Sequence, residues 1–215
     1  MLQLPTIKNT ITSEVLDVSS GYIFYDQTQP DSTLLNRKNL ISTTNWLVNV
    51  DKRLTLRQAI PHIKYLQDKK RNAKMHKNEN AKNFFTCNDT SIGNLGFLEF
   101  TDVNYEIIDI VKDSIAIHAS QRIGYNDIVI SQNPSPTTYF VITNTNKEDF
   151  ENQAHQILEL LEKNIPLSEG LKINGLSIDL YFEENLSFQD YIRIKSKLSE
   201  LISKTVRIST NEFIY

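Results

Sequence analysis

The stretch DLYFEENLSFQDYI, residues 179–192, reads as a strand, a polar turn and the start of a helix. Leu176 to Phe182 alternates in part, as a half-buried strand does. Ser187 followed three residues on by Asp190 is a capping pattern, and it opens a helix whose apolar face is Phe188, Tyr191, Ile192, Leu198, Leu201 and Ile202. A second stretch, LVNVDKRLTLRQAI at 47–60, aligns with the first without a gap. Val48 lies over Leu180, Val50 over Phe182, Asp51 over Glu183, Leu54 over Leu186, Thr55 over Ser187, Leu56 over Phe188 and Ile60 over Ile192. In each copy the strand leaves through an acidic residue and the N-cap turns the chain back along the sheet. Generic strand–turn–helix grammar and an internal duplication both account for the echo, because two copies are few.

Outward from these stretches the chain alternates in type. Residues 1–20, weakly periodic and rich in Thr, Ser and Asn, read as an extended arm. Gly21–Tyr25 and Asn45–Val50 are strands, and Thr55 with Gln58 caps a helix carrying Leu56, Ala59, Ile60, Ile63 and Leu66 on one face. Pro61 lies past the first turn of that helix, where its missing N–H predicts a kink or a first turn that is not α-helical. Residues 70–95, polar and rich in Asn and Lys, read as a long mobile excursion. Strands are expected at 97–100, 104–110, 114–118 and 127–131, with a hairpin turn at Gly124–Asp127. Tyr139–Thr143 is a strand, Thr145 with Glu148 caps a helix bearing Phe150, Ala154, Ile157, Leu158 and Leu161, and Val206–Ser209 closes the chain as a strand, with Phe213 and Tyr215 beyond it. Strand, helix, strand, helix, strand implies parallel neighbours joined by right-handed crossovers. The expected class is α/β, with α+β as the variant: a mixed sheet with amphipathic helices on one face. The expected organisation is an arm at 1–20, a first α+β subdomain at 21–135 and a C-terminal βαβαβ subdomain at 136–215.

Composition narrows the function. The chain has 215 residues, 40 % of them hydrophobic, with only six glycines and six prolines, which excludes collagen-like and low-complexity classes. No apolar run is long enough for a membrane span, and no signal peptide opens the sequence. A single cysteine, Cys87, excludes an internal disulfide and a cysteine zinc site. The formal charge of −3 is unevenly spread: residues 1–86 carry 13 basic against 7 acidic groups, and residues 87–215 carry 10 against 19. Lys69, Lys70, Arg71 and Lys74 form the densest basic run. It can attract phosphates or anionic lipid, or sit as a solvated helix end at the negative pole of the helix dipole. No aromatic residue interleaves it between Tyr65 and Phe84, so nucleic acid is a poor fit.

The acid–polar–x–apolar pattern followed by an apolar amphipathic helix resembles the soluble domain of the ExbD/TolR biopolymer-transport proteins. It stands here as VDKRLTLRQAI and, more closely, FEENLSFQDYIRIKSKL. Leu2-Gln3-Leu4-Pro5 is similar to the "LP" that follows the single membrane helix in that family. The likeness is best over 176–215, fair over 45–66 and absent through most of 70–135. It implies a non-catalytic periplasmic domain that dimerises beside an ExbB- or TolQ-like stator and contacts a TonB- or TolA-like rod or the cell wall, in proton-driven energy transduction. The chain departs from the family in lacking the membrane helix with its proton-carrying aspartate, and in being about twice the usual domain length. Either Met1 begins a trimmed domain or the chain is a soluble relative, for which a cytoplasmic location is the alternative.

Catalytic patterns are sparse. His62, His76, His118 and His155 form no HExxH or similar metal pattern, no GxSxG surrounds a serine, and Gly93 with Gly96 are too few for a phosphate loop. The expectation is therefore no enzyme, no cofactor and no metal. The enzyme alternative would pair Asp51 with Glu183 or Glu184, acids at the ends of two strands, for acid–base work or cation binding; the bland reading is that they favour the helix N-termini that follow. For a binding role the expected contact residues are Val206, Ile208, Phe213 and Tyr215 on an edge strand open to β-augmentation, with Tyr181 and Tyr191, and Trp46 as a further interface aromatic.

Overall fold

The computed structural model describes residues 1–8, 12–73, 78–108, 121–123, 128–130, 137–142, 176–199 and 206–215; at 121–142, 176–179 and 206–207 the backbone alone is described. The chain divides into two units. One comprises residues 1–105 with 184–196, the other 106–183 with 197–215. The division thus falls at 105/106 rather than at the expected 135/136, and residues 184–196 are grouped with the first unit.

The first unit is built on a mixed six-stranded sheet of β1 (Thr6–Ile7), β2 (Val18–Tyr25), β3 (Thr33–Asn36), β4 (Asn45–Val50), β5 (Asn83–Asp89) and β6 (Asn94–Glu99). Its order is β1-β5-β4-β2-β3, with β6 also paired to β5. β2, β4 and β5 run parallel, and the outer hairpins β2–β3 and β5–β6 are antiparallel. Helix α1 (Leu56–Arg71) makes the crossover from β4 to β5, as parallel neighbours require. Its buried face is Leu56, Ala59, Ile60, Ile63 and Leu66, the stripe read from the sequence, continued by Gln67 and Lys70. The helix runs unbroken through Pro61, which is exposed. The first turn is partly 3₁₀ in character, since the Thr55 carbonyl accepts from both Gln58 and Ala59.

The main correction concerns residues 70–95. Asn83–Asp89 is no part of a mobile excursion but a nearly wholly buried strand beside β4, and Cys87 on it is fully buried. The Asn and Lys residues around it masked its Phe84-Phe85-Thr86-Cys87 centre. Phe85 anchors the core: its ring stacks on Phe100 with centroids 3.8 Å apart and meets the edge of Phe188 at 5.2 Å. Gly93, with φ of 62°, supplies the left-handed residue in the β5–β6 turn.

The arm is also more ordered than an extended lead-in. Residues 6–7 are a strand beside Asn88 and Asp89, and Val18–Ser20 already belong to β2.

The second unit is built on a second six-stranded sheet, in the order β7-β12-β11-β10-β9-β8, from β7 (Asn104–Ile107), β8 (Gln121–Ile123), β9 (Ile128–Ile130), β10 (Thr137–Ile142), β11 (Leu176–Phe182) and β12 (Val206–Ile214). β10, β11 and β12 are parallel neighbours, as the βαβαβ reading requires, and β9 closes antiparallel on β10. Helix α2 (Phe188–Ser199) links β11 to β12. β8 and β9 pair antiparallel around the expected hairpin turn, whose residues 124–127 lie outside the described ones, as do the expected strand 114–118 and helix 145–161. The α/β class with mixed sheet holds, in two sheets rather than one. Each sheet has a parallel strand–helix–strand unit at its centre, with an antiparallel strand outside the third parallel one.

Candidate functional site

The acid at the end of β4 is, with Asp89 on β5, a fully enclosed charged group of the first unit. Asp51 is fully buried, and its two oxygens accept four hydrogen bonds. Oδ1 accepts from the Arg53 backbone N–H at 3.1 Å and from Arg53 Nε at 2.9 Å. Oδ2 accepts from Arg53 Nη2 at 2.8 Å and from the Gln3 N–H at 3.2 Å. Burial pushes the Asp51 carboxyl up, but the Arg53 side-chain and backbone bonds, the Gln3 bond and the Arg53 charge outweigh it, and the pKa falls below the ordinary carboxylate range. The Arg53 guanidinium in turn lies over the Tyr25 ring, 4.8 Å from its centroid. A carboxylate saturated in this way ties arm to turn and has little basicity left for proton transfer. Glu184 is engaged with Arg57 at 3.2 Å. Glu183 belongs to the second unit. Each of Asp51 and Glu184 therefore has a basic partner of its own.

Two members of the basic run, Lys70 and Arg71, are engaged in the same manner. Lys70 is 7 % exposed; its ammonium donates to the Lys82 carbonyl and to Asn83 Oδ1, both at 2.9 Å, and lies 5.0 Å from the Trp46 ring centroid. Burial lowers its pKa to about 8. Arg71 Nη2 donates to Asn104 Oδ1 at 3.2 Å. One turn and two turns earlier, Gln67 donates to the Phe100 and Val103 carbonyls and Lys64 to that of Tyr105. This row of α1 binds backbone carbonyls of 82–105 where a nucleic-acid surface would keep its cations free for phosphate. Lys69 is exposed in the last helical turn, and Lys74 lies outside the described residues.

The two echoing stretches meet. Thr55 and Ser187 face each other in an antiparallel bridge. The Leu56 N–H donates to the Leu186 carbonyl at 2.9 Å, and the Phe188 N–H donates to the Leu54 carbonyl at 2.7 Å. Beyond them the Arg57 N–H donates to Glu184 at 2.8 Å and the Gln189 N–H to Lys52 at 3.2 Å. Both caps form: Gln58 Oε1 accepts the Thr55 N–H at 2.9 Å, and Ser187 Oγ accepts the Asp190 N–H at 3.1 Å. Leu54, Leu56, Leu186 and Phe188 are all at most 2 % exposed. Gln189 also clamps the arm, its amide accepting from the Thr6 N–H and donating to the Thr6 carbonyl, both at 2.8 Å. Nothing local in the sequence marks this contact between residues so far apart.

The expected contact residues separate. Tyr191 is fully buried and its hydroxyl bonds that of Tyr105 at 3.0 Å, so it is core. Trp46 is buried as well, its indole donating to the Ile41 carbonyl at 2.7 Å. The strand holding Val206, Ile208 and Phe213 is not an edge: β12 lies between β7 and β11. Tyr181 and Phe213 are register neighbours, half-buried and stacked with centroids 4.6 Å apart. Ile208 and Tyr215 are also half-buried, while the side chain of Val206 lies outside the description.

His62 approaches Asp31 at 3.7 Å; His76, His118 and His155 are outside the described residues. Burial, with the Asp89 charge second, pushes the Cys87 thiol up to about 12, far from a nucleophile's range. Among the described residues no three His, Cys, Asp or Glu side chains gather to hold a metal, and no helix is long and apolar enough to cross a membrane. Compared with protein-family models, curated proteins and solved structures, the chain matches none of them.

Proposed function

We propose that the protein is a non-catalytic interaction domain of an ExbD/TolR-like energy-transduction complex on the periplasmic face of the inner membrane. It would sit beside an ExbB- or TolQ-like stator and grip a TonB- or TolA-like rod or the cell wall. The observation that carries the reading is that both stretches bearing the likeness fold as a strand, a polar turn opened by an acidic residue, and a capped helix. The arm after Leu4-Pro5 docks beside β5, which suits a segment that passes load to the sheet. The engaged state of Asp51, Glu184 and Lys70 favours binding over acid–base chemistry or phosphate contact. The surface we assign to the partner is the half-buried Tyr181–Phe213 stack with Tyr215, in place of a strand edge.

Co-sedimentation with purified peptidoglycan, and titration with the periplasmic part of a TonB- or TolA-type rod from the same organism, test this reading. Replacing Tyr181 and Phe213 together by alanine should weaken binding about tenfold or more, as loss of aromatic anchors does, with the circular-dichroism spectrum retained. Absence of binding to either probe would refute it.

A further inference from the structure

We infer that residues 45–60 and 177–192 are two copies of one module, and that the chain closes within itself an interface that a single-module chain would have to form with a second copy. The sequence alignment carries a constant offset of 132, and the bridge Thr55–Ser187 joins residues at that same offset. The flanking hydrogen bonds obey it too. Leu56 to Leu186 becomes Phe188 to Leu54 when the copies are exchanged, and Arg57 to Glu184 becomes Gln189 to Lys52. Any antiparallel bridge is locally symmetric in its backbone, but nothing in that geometry requires the paired residues to be sequence equivalents. Like meets like, which is the signature of an isologous two-fold contact.

The contact serves a need that each copy has. Leu56 and Arg57 are the first two residues of α1, and Phe188 and Gln189 the first two of α2. Amides at these positions have no partner within their own helix. Each copy supplies the other's with backbone carbonyls, and the four apolar side chains at the contact are buried with them. A lone module would leave both exposed to water.

Charge adds a small preference for the pairing of unlike copies. Arg57 meets Glu184 across the contact. Two first copies would set Arg57 against Lys52, and two second copies would set Gln189 against Glu184, losing the ion pair in either case. The pairing expected between two chains is therefore met inside one, and the working unit is a single chain. This inference stands apart from the proposed function.

The test begins with light scattering of the full chain over a wide concentration range, where the mass of one chain is expected. In the unaltered protein, hydrogen exchange should show protection of the Leu56, Arg57, Phe188 and Gln189 amides at concentrations where the chain is monomeric. The variant carrying Thr55→Cys and Ser187→Cys should oxidise within one chain, because the facing residues of such a bridge lie within disulfide reach. Thr55→Cys alone and Ser187→Cys alone should give no cross-linked dimer. A dimer whose covalent links join Thr55→Cys of one chain to Ser187→Cys of another would overturn the inference. So would free exchange at those four amides, which is readable even if the variants fail to fold.

Discussion

Asp51 illustrates how a carboxylate is buried without becoming reactive. Its lone pairs are filled by Arg53 and Gln3, so its charge is stabilised where desolvation alone would neutralise it. Asp51→Asn should destabilise the protein by about 1–3 kcal/mol in urea unfolding, since the buried side chain loses its charge-assisted bonds while the Arg53 guanidinium, partly exposed, can turn to water. The native pKa lies below the unfolded value of 3.8. The stabilisation is therefore present above that value and lost as pH falls through the lower native one. The gap between the parent protein and Asp51→Asn should accordingly close in strong acid. Lys70 gives a pH slope of the same sign for a different reason, since burial penalises its charged form. Its native pKa of about 8 lies below the unfolded 10.5. The unfolded chain holds more protons between these values, so stability rises with pH across that window. Compared with Lys70→Met, the parent should gain up to about 3 kcal/mol from pH 8 to 10.5, read from paired denaturant curves.

At the scale of the element, β5 carries more of the core than its polar flanks suggest. Phe85 touches Phe100, Phe188 and Tyr191 through ring contacts. Phe85→Ala should cost about 3–5 kcal/mol, and limited proteolysis of the parent should leave 83–89 uncut. The helices show how far local rules extend. Apolar spacing located the buried face of α1, and the Thr55 and Ser187 caps began both helices where the residue types indicate. Of the two outcomes expected at Pro61, the helix shows the irregular first turn and runs on through the proline. On an exposed face, the carbonyl it leaves can turn to water.

For the whole molecule, the C-terminal strand gives the clearest test. Because β12 is flanked by β7 and β11, deleting 206–215 should dismantle the second sheet and not merely remove a docking edge. Circular dichroism should then show lost strand content and the melting transition should broaden or split. An unchanged spectrum would place β12 outside the cooperative fold.

Periodicity, caps and turn chemistry are local, and they alone determined the α/β class, the parallel strand–helix–strand order and the echo between residues 47–60 and 179–192. Neighbours in space were decided only by tertiary structure. The burial of β5, the inner place of β12, the retreat of Tyr191 and Lys70 from the surface and the meeting of Thr55 with Ser187 all depend on hydrogen bonds and packing between residues far apart in the chain. No local pattern encodes those, because a polar side chain reads alike whether it faces water or a distant backbone carbonyl.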